Sequence, residues 1–100
     1  MLVGGCDVGS TTGKAVIIND KTVVAHCITP STTKPEKTAM TVMDAALQMA
    51  GLSSLKDLAY IVGTGYGRLK VPFANENISE ITCHARGAYW MNPAVRTVVD

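Results

Sequence analysis

The first thirty residues alternate apolar and polar positions in the way that is typical of half-buried β-strands. Strands are predicted over Leu2 to Asp7, Lys14 to Asn19 and Thr22 to Ile28. The second strand is joined to the third by Asn19-Asp20-Lys21, which has the composition of a hairpin turn. The chain is therefore expected to begin with a three-stranded antiparallel meander.

A change of hydrophobic period marks the next element. A polar loop with two prolines runs from Thr29 to Pro35, and the apolar positions beyond it recur at helical spacing. This pattern predicts an amphipathic helix over about residues 36 to 50, with Gly51 as a natural C-cap. The methionines of this helix are interpreted as core residues rather than as a binding stripe; they are Met40, Met43 and Met49.

The second half of the chain predicts one more strand, one more helix and the beginning of a further strand. Leu58 to Val62 is a short apolar run of the kind that is buried on both faces of a sheet, and it leads into the glycine-rich loop Gly63 to Arg68. A strand that ends in such a loop indicates a cleft. A helix is predicted over about residues 78 to 91, and Thr97 to Asp100 begins a strand.

The element order β-β-β-α-β-α-β indicates an α/β protein with a ribonuclease H-like fold. In that fold a mixed sheet consists of an antiparallel meander extended by crossover strands, with helices packed outside. Residues 1 to 95 are predicted to form a first subdomain of this type, and residues 96 to 100 to begin a second one. The chain is thus expected to be the first part of a longer two-domain protein.

Composition excludes several classes of protein. A hydrophobic fraction of 47% and a charged fraction of 17% are those of an ordinary globular unit, and a net charge of +1 gives no basic field for nucleic acid. No apolar run approaches the roughly 20 residues that cross a bilayer, so no membrane partner is expected. The odd number of cysteines, without C-x-x-C spacing, and the lack of a signal peptide favour the cytoplasm.

The three cysteines are interpreted first as small buried residues. They are Cys6, Cys27 and Cys83. Cys83 stands next to His84, and the role of this pair is left open. A lone Cys-His pair has too few ligands for a closed tetrahedral zinc site, and no other residues in the chain complete one.

The richest candidate chemistry is the octet from Asp7 to Lys14, which lies at the predicted turn between the first two strands. Glycines let backbone N–H groups approach an anion, hydroxyls donate to its oxygens, and a carboxylate holds Mg²⁺ through water. The octet is not a Walker A loop, because three residues separate its glycines and Ala15 follows the lysine. It is not a dinucleotide fingerprint either, since a strand follows it. The alternative interpretation is a tight polar turn.

Asp7 is therefore the candidate magnesium ligand, through water, and a candidate catalytic residue. The candidate nucleotide-binding residues are Gly9, Ser10, Thr11, Thr12, Lys14, Gly65 and Arg68. Lys14 either points toward the phosphates or lies on the exposed face of its strand. Arg68 either pairs with a phosphate or a partner carboxylate, or is solvated. Tyr66 is either a stacking platform or a plug that packs the loop down.

Four strings spread over nearly the whole chain resemble a known family. The family comprises the ATP-hydrolysing activators of 2-hydroxyacyl-CoA dehydratases and the ATPase subunits of benzoyl-CoA reductase, within the superfamily of actin, heat-shock chaperones and sugar kinases. The matching strings are Asp7-Val-Gly-Ser-Thr-Thr-Gly-Lys14, Val62-Gly-Thr-Gly-Tyr-Gly-Arg68, Ile78-Ser-Glu-Ile-Thr-Cys-His-Ala-Arg-Gly-Ala88 and Arg96-Thr-Val-Val-Asp100.

The resemblance implies specific roles. Asp7 resembles the carboxylate that holds hydrated Mg²⁺, while Gly9, Ser10 and Thr11 resemble the loop around the terminal phosphates of ATP. Asp100 resembles the first residue of the second phosphate motif and is a further candidate catalytic residue. Family members are homodimers that share a [4Fe-4S] cluster and use ATP hydrolysis to transfer an electron to a dehydratase or reductase. The cluster cysteines and the adenosine pocket of the family correspond to positions beyond residue 100.

The resulting hypothesis is the amino-terminal part of an ATP-hydrolysing activator, which binds ATP and releases ADP. The 100 residues alone are expected to be inactive, and none of the three cysteines matches a cluster ligand. One alternative is a carbohydrate kinase of the same superfamily, and another is a non-catalytic fragment. A kinase needs a carboxylate base near the sugar hydroxyl, and the loop from Gly63 to Arg68 has none.

Overall fold

The computed structural model describes residues 1–65 and 71–78. These residues form a sheet with one helix and one short 3-10 turn. The strands are β1 (Leu2–Val8), β2 (Thr12–Asn19), β3 (Thr22–Pro30), β4 (Tyr60–Gly65) and β5 (Glu76–Asn77); the helix is α1 (Pro35–Met49), and the 3-10 turn is Leu55–Asp57.

The sheet has the strand order β3-β2-β1-β4-β5. β1, β2 and β3 are antiparallel, whereas β4 pairs parallel with β1 and β5 pairs parallel with β4. The predicted mixed sheet with an antiparallel meander and a crossover helix is therefore confirmed. The predicted second helix, the strand after it and the subdomain boundary at residue 95 lie outside the described residues.

Within the described residues, the predicted elements agree with the structure apart from their ends and two short additions. The fourth strand continues through Gly65, so the prediction of a loop from Gly63 is wrong for Gly63 to Gly65. The 3-10 turn is fixed by a cap in which the Asp57 carboxylate accepts a hydrogen bond from the Ser54 N–H and the Ser54 hydroxyl accepts one from the Lys56 N–H. β5 has only two residues, which is too few for a hydrophobic period to show. Gly51 lies just past the helix with a φ of 75°, a conformation that suits glycine at this position.

One face of the sheet packs against α1. The period of two in β1 and β2 directs small or apolar residues toward the helix, and the helix presents a buried stripe in return. The residues of β1 and β2 on this face are Gly4, Cys6, Val8, Gly13, Ala15 and Ile17. The stripe of α1 consists of Thr38, Ala39, Val42, Met43, Ala46 and Leu47. The core of the described part of the chain thus lies between α1 and the meander.

The interpretation of the methionines is correct only for Met43. Met43 is fully buried, whereas Met40 is 39% exposed and Met49 is 60% exposed. The latter two lie outside the buried stripe of α1, so their side chains face away from the sheet. No helix in residues 1–65 or 71–78 has the length and hydropathy that would be needed to span a membrane.

The cysteines differ in their surroundings. Cys6 is buried against α1, with its Sγ 3.9 Å from the carbonyl oxygen of Ala39, as expected for a small core residue. Cys27 is only half-buried. Cys83 lies outside the described residues. Burial raises the pKa of the Cys6 thiol from 9.0 to about 12, and the nearby carboxylate of Asp7 adds to the rise.

Gly13 permits the close approach of α1 to β2. A Cβ at this position would lie 2.6 Å from Cγ2 of Thr38, a distance that real Cβ atoms do not tolerate. We expect Gly13→Ala to lower the free energy of unfolding by about 1–3 kcal/mol, because the helix must shift. Thr38→Ser removes that methyl group and keeps the hydroxyl, so the double variant should recover most of the loss. Equal destabilisation in urea unfolding with and without Thr38→Ser would contradict this contact.

The raised pKa of Cys6 predicts a specific alkaline destabilisation. Between about pH 9 and 12 the unfolded chain loses the thiol proton and the folded protein retains it, so the free energy of unfolding falls as pH rises. The limiting slope is about 1.4 kcal/mol per pH unit. Urea unfolding at several pH values above 9 should show a shallower slope for Cys6→Ala than for the wild type. Identical slopes would show that Cys6 is not the group responsible.

Candidate functional site

The carboxyl ends of two parallel strands lie side by side at one edge of the sheet. Asp7 on β1 is in register with Thr64 on β4, and Val8 is in register with Gly65. β2 begins at the same edge, where Lys14 is paired with Asp7. In open α/β sheets ligands bind at the carboxyl ends of parallel strands, where the strand order reverses. β1 lies between β2, which follows it directly in the chain, and β4, which the chain reaches from β3 through α1, so the connections leave the meander on one side of β1 and the parallel strands on the other.

Lys14, Asp7 and Thr64 form a row across three neighbouring strands. Residues in register on adjacent strands project to the same face of a sheet. This face is opposite to α1, because the residues that alternate with them, Cys6 and Ala15, are buried against the helix. The row therefore joins a cation, a carboxylate and a hydroxyl on the side of the sheet that α1 does not cover.

A groove of about 340 Å³ lies on this face along the row. Its walls are mainly apolar and come from four strands, and the polar side chains among its lining residues are those of the row and of His26. The lining residues besides the row are Gly5, Cys6, Ala15, Val16, His26, Cys27, Ile28 and Val62. A mostly apolar groove with a few convergent polar groups is the usual form of a small-molecule site.

The turn from Gly9 to Thr12 follows β1, one residue after Asp7, and is held in one shape by three hydrogen bonds. The Gly9 N–H donates to the carbonyl of Thr12 at 2.8 Å. The hydroxyl of Ser31 donates to the Gly9 carbonyl at 2.7 Å, and the Ser31 N–H donates to the Thr11 carbonyl at 2.9 Å. The turn is thus fixed by Ser31 in the loop after β3, while Ser10 and Thr11 are exposed at its tip.

These contacts limit which groups of the octet are available to bind an anion. The Gly9 N–H is used inside the turn, so any contribution of Gly9 to anion binding depends on close approach of its backbone rather than on donation. Gly13 faces α1 and serves helix packing. The groups that the turn presents outward are those of Ser10 and Thr11. The Ser31 contacts were not expected from the sequence, because a polar loop gives no signal of what it bonds.

The loop that fixes the turn is itself joined to the start of α1. The buried hydroxyl of Thr38 accepts a hydrogen bond from the Thr32 N–H at 2.9 Å and lies 3.0 Å from the Thr32 hydroxyl. Thr32 also donates to the Lys34 carbonyl at 2.9 Å. The same Thr38 contacts Gly13 through its methyl group. The turn, the loop after β3 and the first turn of the helix therefore form one connected unit.

Thr64 is a site residue that sequence reasoning did not select. It is only 8% exposed, and its hydroxyl has no hydrogen-bond partner among residues 1–65 and 71–78. The sequence signal was its position between Gly63 and Gly65 at the end of a strand. Its proximity to Asp7 depends on the register of β4 against β1, which a single sequence does not give.

The predicted residues separate into three groups. Asp7 is half-buried in the row, Lys14 is exposed beside it, and Thr12 begins β2. Lys14 lies on the exposed face of its strand, which is also the face of Asp7, and its contact with phosphates stays a prediction. Gly65 ends β4 next to Val8. Arg68 and Asp100, with Tyr66 and His84, lie outside the described residues.

The donor set at the row suits a magnesium ion that keeps most of its water. Mg²⁺ is usually bound by one or two carboxylates together with phosphate oxygens rather than by a complete protein cage. Asp7 provides one carboxylate at the groove, and no group of three metal-ligating side chains occurs in the part of the chain described. A [4Fe-4S] cluster needs four thiolates, and the two described cysteines, Cys6 and Cys27, do not provide them.

Comparison with known proteins identifies the family of proteins to which the chain belongs. Residues 5–100 match the BadF/BadG/BcrA/BcrD ATPase family, and the chain belongs to that family. It is 41% identical to the activator of lactoyl-CoA dehydratase from Anaerotignum propionicum, over 96% of this chain and 37% of that protein. The chain thus spans a little over a third of the length of this relative.

Two solved structures extend the likeness to the fold. Component A of (R)-2-hydroxyglutaryl-CoA dehydratase from Acidaminococcus fermentans has a TM-score of 0.87 and 34% identity, covering 100% of this chain and 39% of that one. The activator of 2-hydroxyisocaproyl-CoA dehydratase from Clostridium difficile, with bound ADPNP, has a TM-score of 0.84 and 35% identity. It covers 97% of this chain and 36% of that one. The ribonuclease H-like fold predicted from the sequence is therefore confirmed.

The contacts of Ser31 predict a local effect of its removal. We expect Ser31→Ala to lower stability by about 1 kcal/mol, because it deletes a partly buried hydrogen bond to the turn. Amide hydrogen exchange at residues 9 to 12 should become faster, while exchange in the middle of α1 should not change. Thr22→Ala, at the exposed start of β3, is the control. Unchanged exchange in the turn would show that Ser31 does not fix it.

Proposed function

We propose that this chain is the amino-terminal part of an ATP-hydrolysing activator that drives electron transfer to a 2-hydroxyacyl-CoA dehydratase or a benzoyl-CoA reductase. The observation that carries the proposal is the row of Lys14, Asp7 and Thr64 beside a fixed polar turn, in a chain of this ATPase family. Residues 1 to 95 would form the first subdomain and residues 96 to 100 would begin the second.

The edge of the sheet has the properties that a phosphate site requires. Phosphoryl transfer depends mainly on positioning and on stabilising charge on phosphate oxygens. The turn from Gly9 to Thr12 is held rigidly by Ser31, so its exposed hydroxyls are already in place when a ligand arrives. Lys14 adds a positive charge on the same face. The ADPNP bound to the Clostridium difficile activator supports a nucleotide as the ligand.

Asp7 is proposed as the residue that orients the magnesium ion through water. When bound, the ion neutralises charge on the phosphate oxygens. Asp7 itself lies half-buried at the end of β1, where the sheet limits the directions in which its carboxylate can point. Gly9, Ser10, Thr11, Thr12, Lys14, Gly65 and Arg68 are proposed to bind the nucleotide, and Asp100 is proposed to belong to the second phosphate motif.

The remaining proposals concern the whole protein. We propose a cytoplasmic homodimer whose [4Fe-4S] cluster is bound by residues outside these 100. Its partner would be the dehydratase or reductase component, as the name of the Anaerotignum propionicum relative suggests. The carbohydrate kinase alternative has less support, because relatives with names that indicate activators or a reductase subunit are more than 30% identical to this chain. In addition, the sequence from Gly63 to Arg68 contains no carboxylate.

Asp7→Asn tests the proposed function most simply. In the full-length protein that contains these residues, we expect at least a hundredfold loss of magnesium-dependent ATP hydrolysis, since the change removes the charge but keeps the shape. The far-ultraviolet circular dichroism spectrum should not change. Asp44→Asn, an exposed position on α1, is the matched control and should hydrolyse ATP at the wild-type rate. Wild-type turnover by Asp7→Asn would contradict the role of Asp7.

A further inference from the structure

Thr64 is a buried polar side chain that makes no hydrogen bond within the described part of the chain. It is 8% exposed, and its Oγ1 has no hydrogen-bond partner among residues 1–65 and 71–78. A buried hydroxyl without a partner destabilises the protein that contains it. Valine has the same shape and would avoid this cost at a strand position. A hydroxyl retained under these conditions indicates a ligand.

The position of Thr64 specifies the type of ligand. Its Cα is in register with that of Asp7 on the adjacent parallel strand, and both residues line the groove. Adjacent strands are about 4.8 Å apart. Two hydrogen bonds of about 2.8 Å that meet at one oxygen atom span a similar distance. The spacing of the two strands therefore suits a single water molecule that bonds both side chains.

We propose that the Thr64 hydroxyl is a catalytic group that holds, together with Asp7, the water molecule that attacks the terminal phosphate of ATP. This inference rests on the proposed function. A hydroxyl suits this task, because it donates one hydrogen bond and accepts another and so fixes the orientation of the water. Lys14, on the other side of Asp7 in the row, lies next to the turn that would hold the phosphates.

The reaction is ordinary hydrolysis and needs no further reactant. The water oxygen forms a bond to the terminal phosphorus, and the bond from that phosphorus to the bridging oxygen breaks. ADP leaves with the bonding electron pair. One proton of the water remains on the new phosphate hydroxyl, and the other passes to solvent. Thr64 keeps its own proton throughout, since its role is to position the water.

The test separates this role from a structural one, because the two predict opposite changes in stability. Thr64→Val in the full-length protein should raise the melting temperature measured without nucleotide, since it removes an unpartnered hydroxyl. The same variant should lower kcat for ATP hydrolysis at least tenfold, with the affinity for ADP within about twofold of wild type. Thr64→Ser, which keeps the hydroxyl, should retain the rate within about threefold.

Matched controls use other threonines of the chain. Thr38→Val removes a buried hydroxyl that has protein partners, so its melting temperature should fall. Thr22→Val, exposed and remote from the groove, should change neither stability nor rate. If Thr64→Val loses stability in proportion to activity, the hydroxyl has a structural role and the inference is wrong.

The inference and the proposed function fail in different ways. Full ATP hydrolysis by Thr64→Val, with Asp7→Asn inactive, would overturn the role of Thr64 and leave the proposed function intact. Absence of ATP hydrolysis in the wild-type protein, or full activity of Asp7→Asn, would overturn the proposed function itself. Loss of ADP affinity in Thr64→Val at an unchanged kcat would also overturn the inference, since a group that holds only the water does not contribute to nucleotide binding.

Discussion

The parallel pairing of β1 with β4 is the constraint on which the site depends. β1 is the first strand and β4 the fourth, and α1 connects the meander to β4 on one side of the sheet. This crossover places the carboxyl ends of two distant segments at the same edge, with Asp7 next to Thr64. Without this pairing Asp7 would remain at the end of a hairpin, with no second strand to complete the groove.

The crossover in turn depends on small residues where helix and sheet meet. Gly13 lets the methyl group of Thr38 approach β2, and the hydroxyl of Thr38 bonds the loop that carries Ser31. Ser31 then holds the turn that follows Asp7. The packing of α1 on the sheet therefore helps to determine the shape of the turn between β1 and β2. Different parts of the polar octet therefore face different surroundings, because Gly13 packs against the helix while Ser10 and Thr11 are exposed at the tip of the turn.

The sequence allowed much of this arrangement to be predicted, because the strands of the meander and α1 are local elements with clear hydrophobic periods. The octet could be placed at a turn for the same reason. Thr64 could not be placed, because its proximity to Asp7 comes from a pairing across more than fifty residues. Ser31 was not selected, since a polar loop does not indicate its bonding partners. The exposure of Met40 and Met49 shows that an apolar residue on a helix need not belong to its buried stripe.

The proposed function requires that the phosphates and metal of the nucleotide bind at the edge of the sheet formed by Asp7, the turn after β1 and the end of β4. Manganese can replace magnesium and broadens the nuclear magnetic resonance signals of nearby amides, so Mn²⁺-ATP can be located in isotope-labelled full-length protein. We predict loss of the amide signals of residues 7 to 12, 64 and 65. Signals of Asn19 to Thr22 should persist. These residues lie at the far end of β2, about 23 Å along the strand from Thr12. Broadening centred on that opposite end, or on the α1 face, would contradict the account.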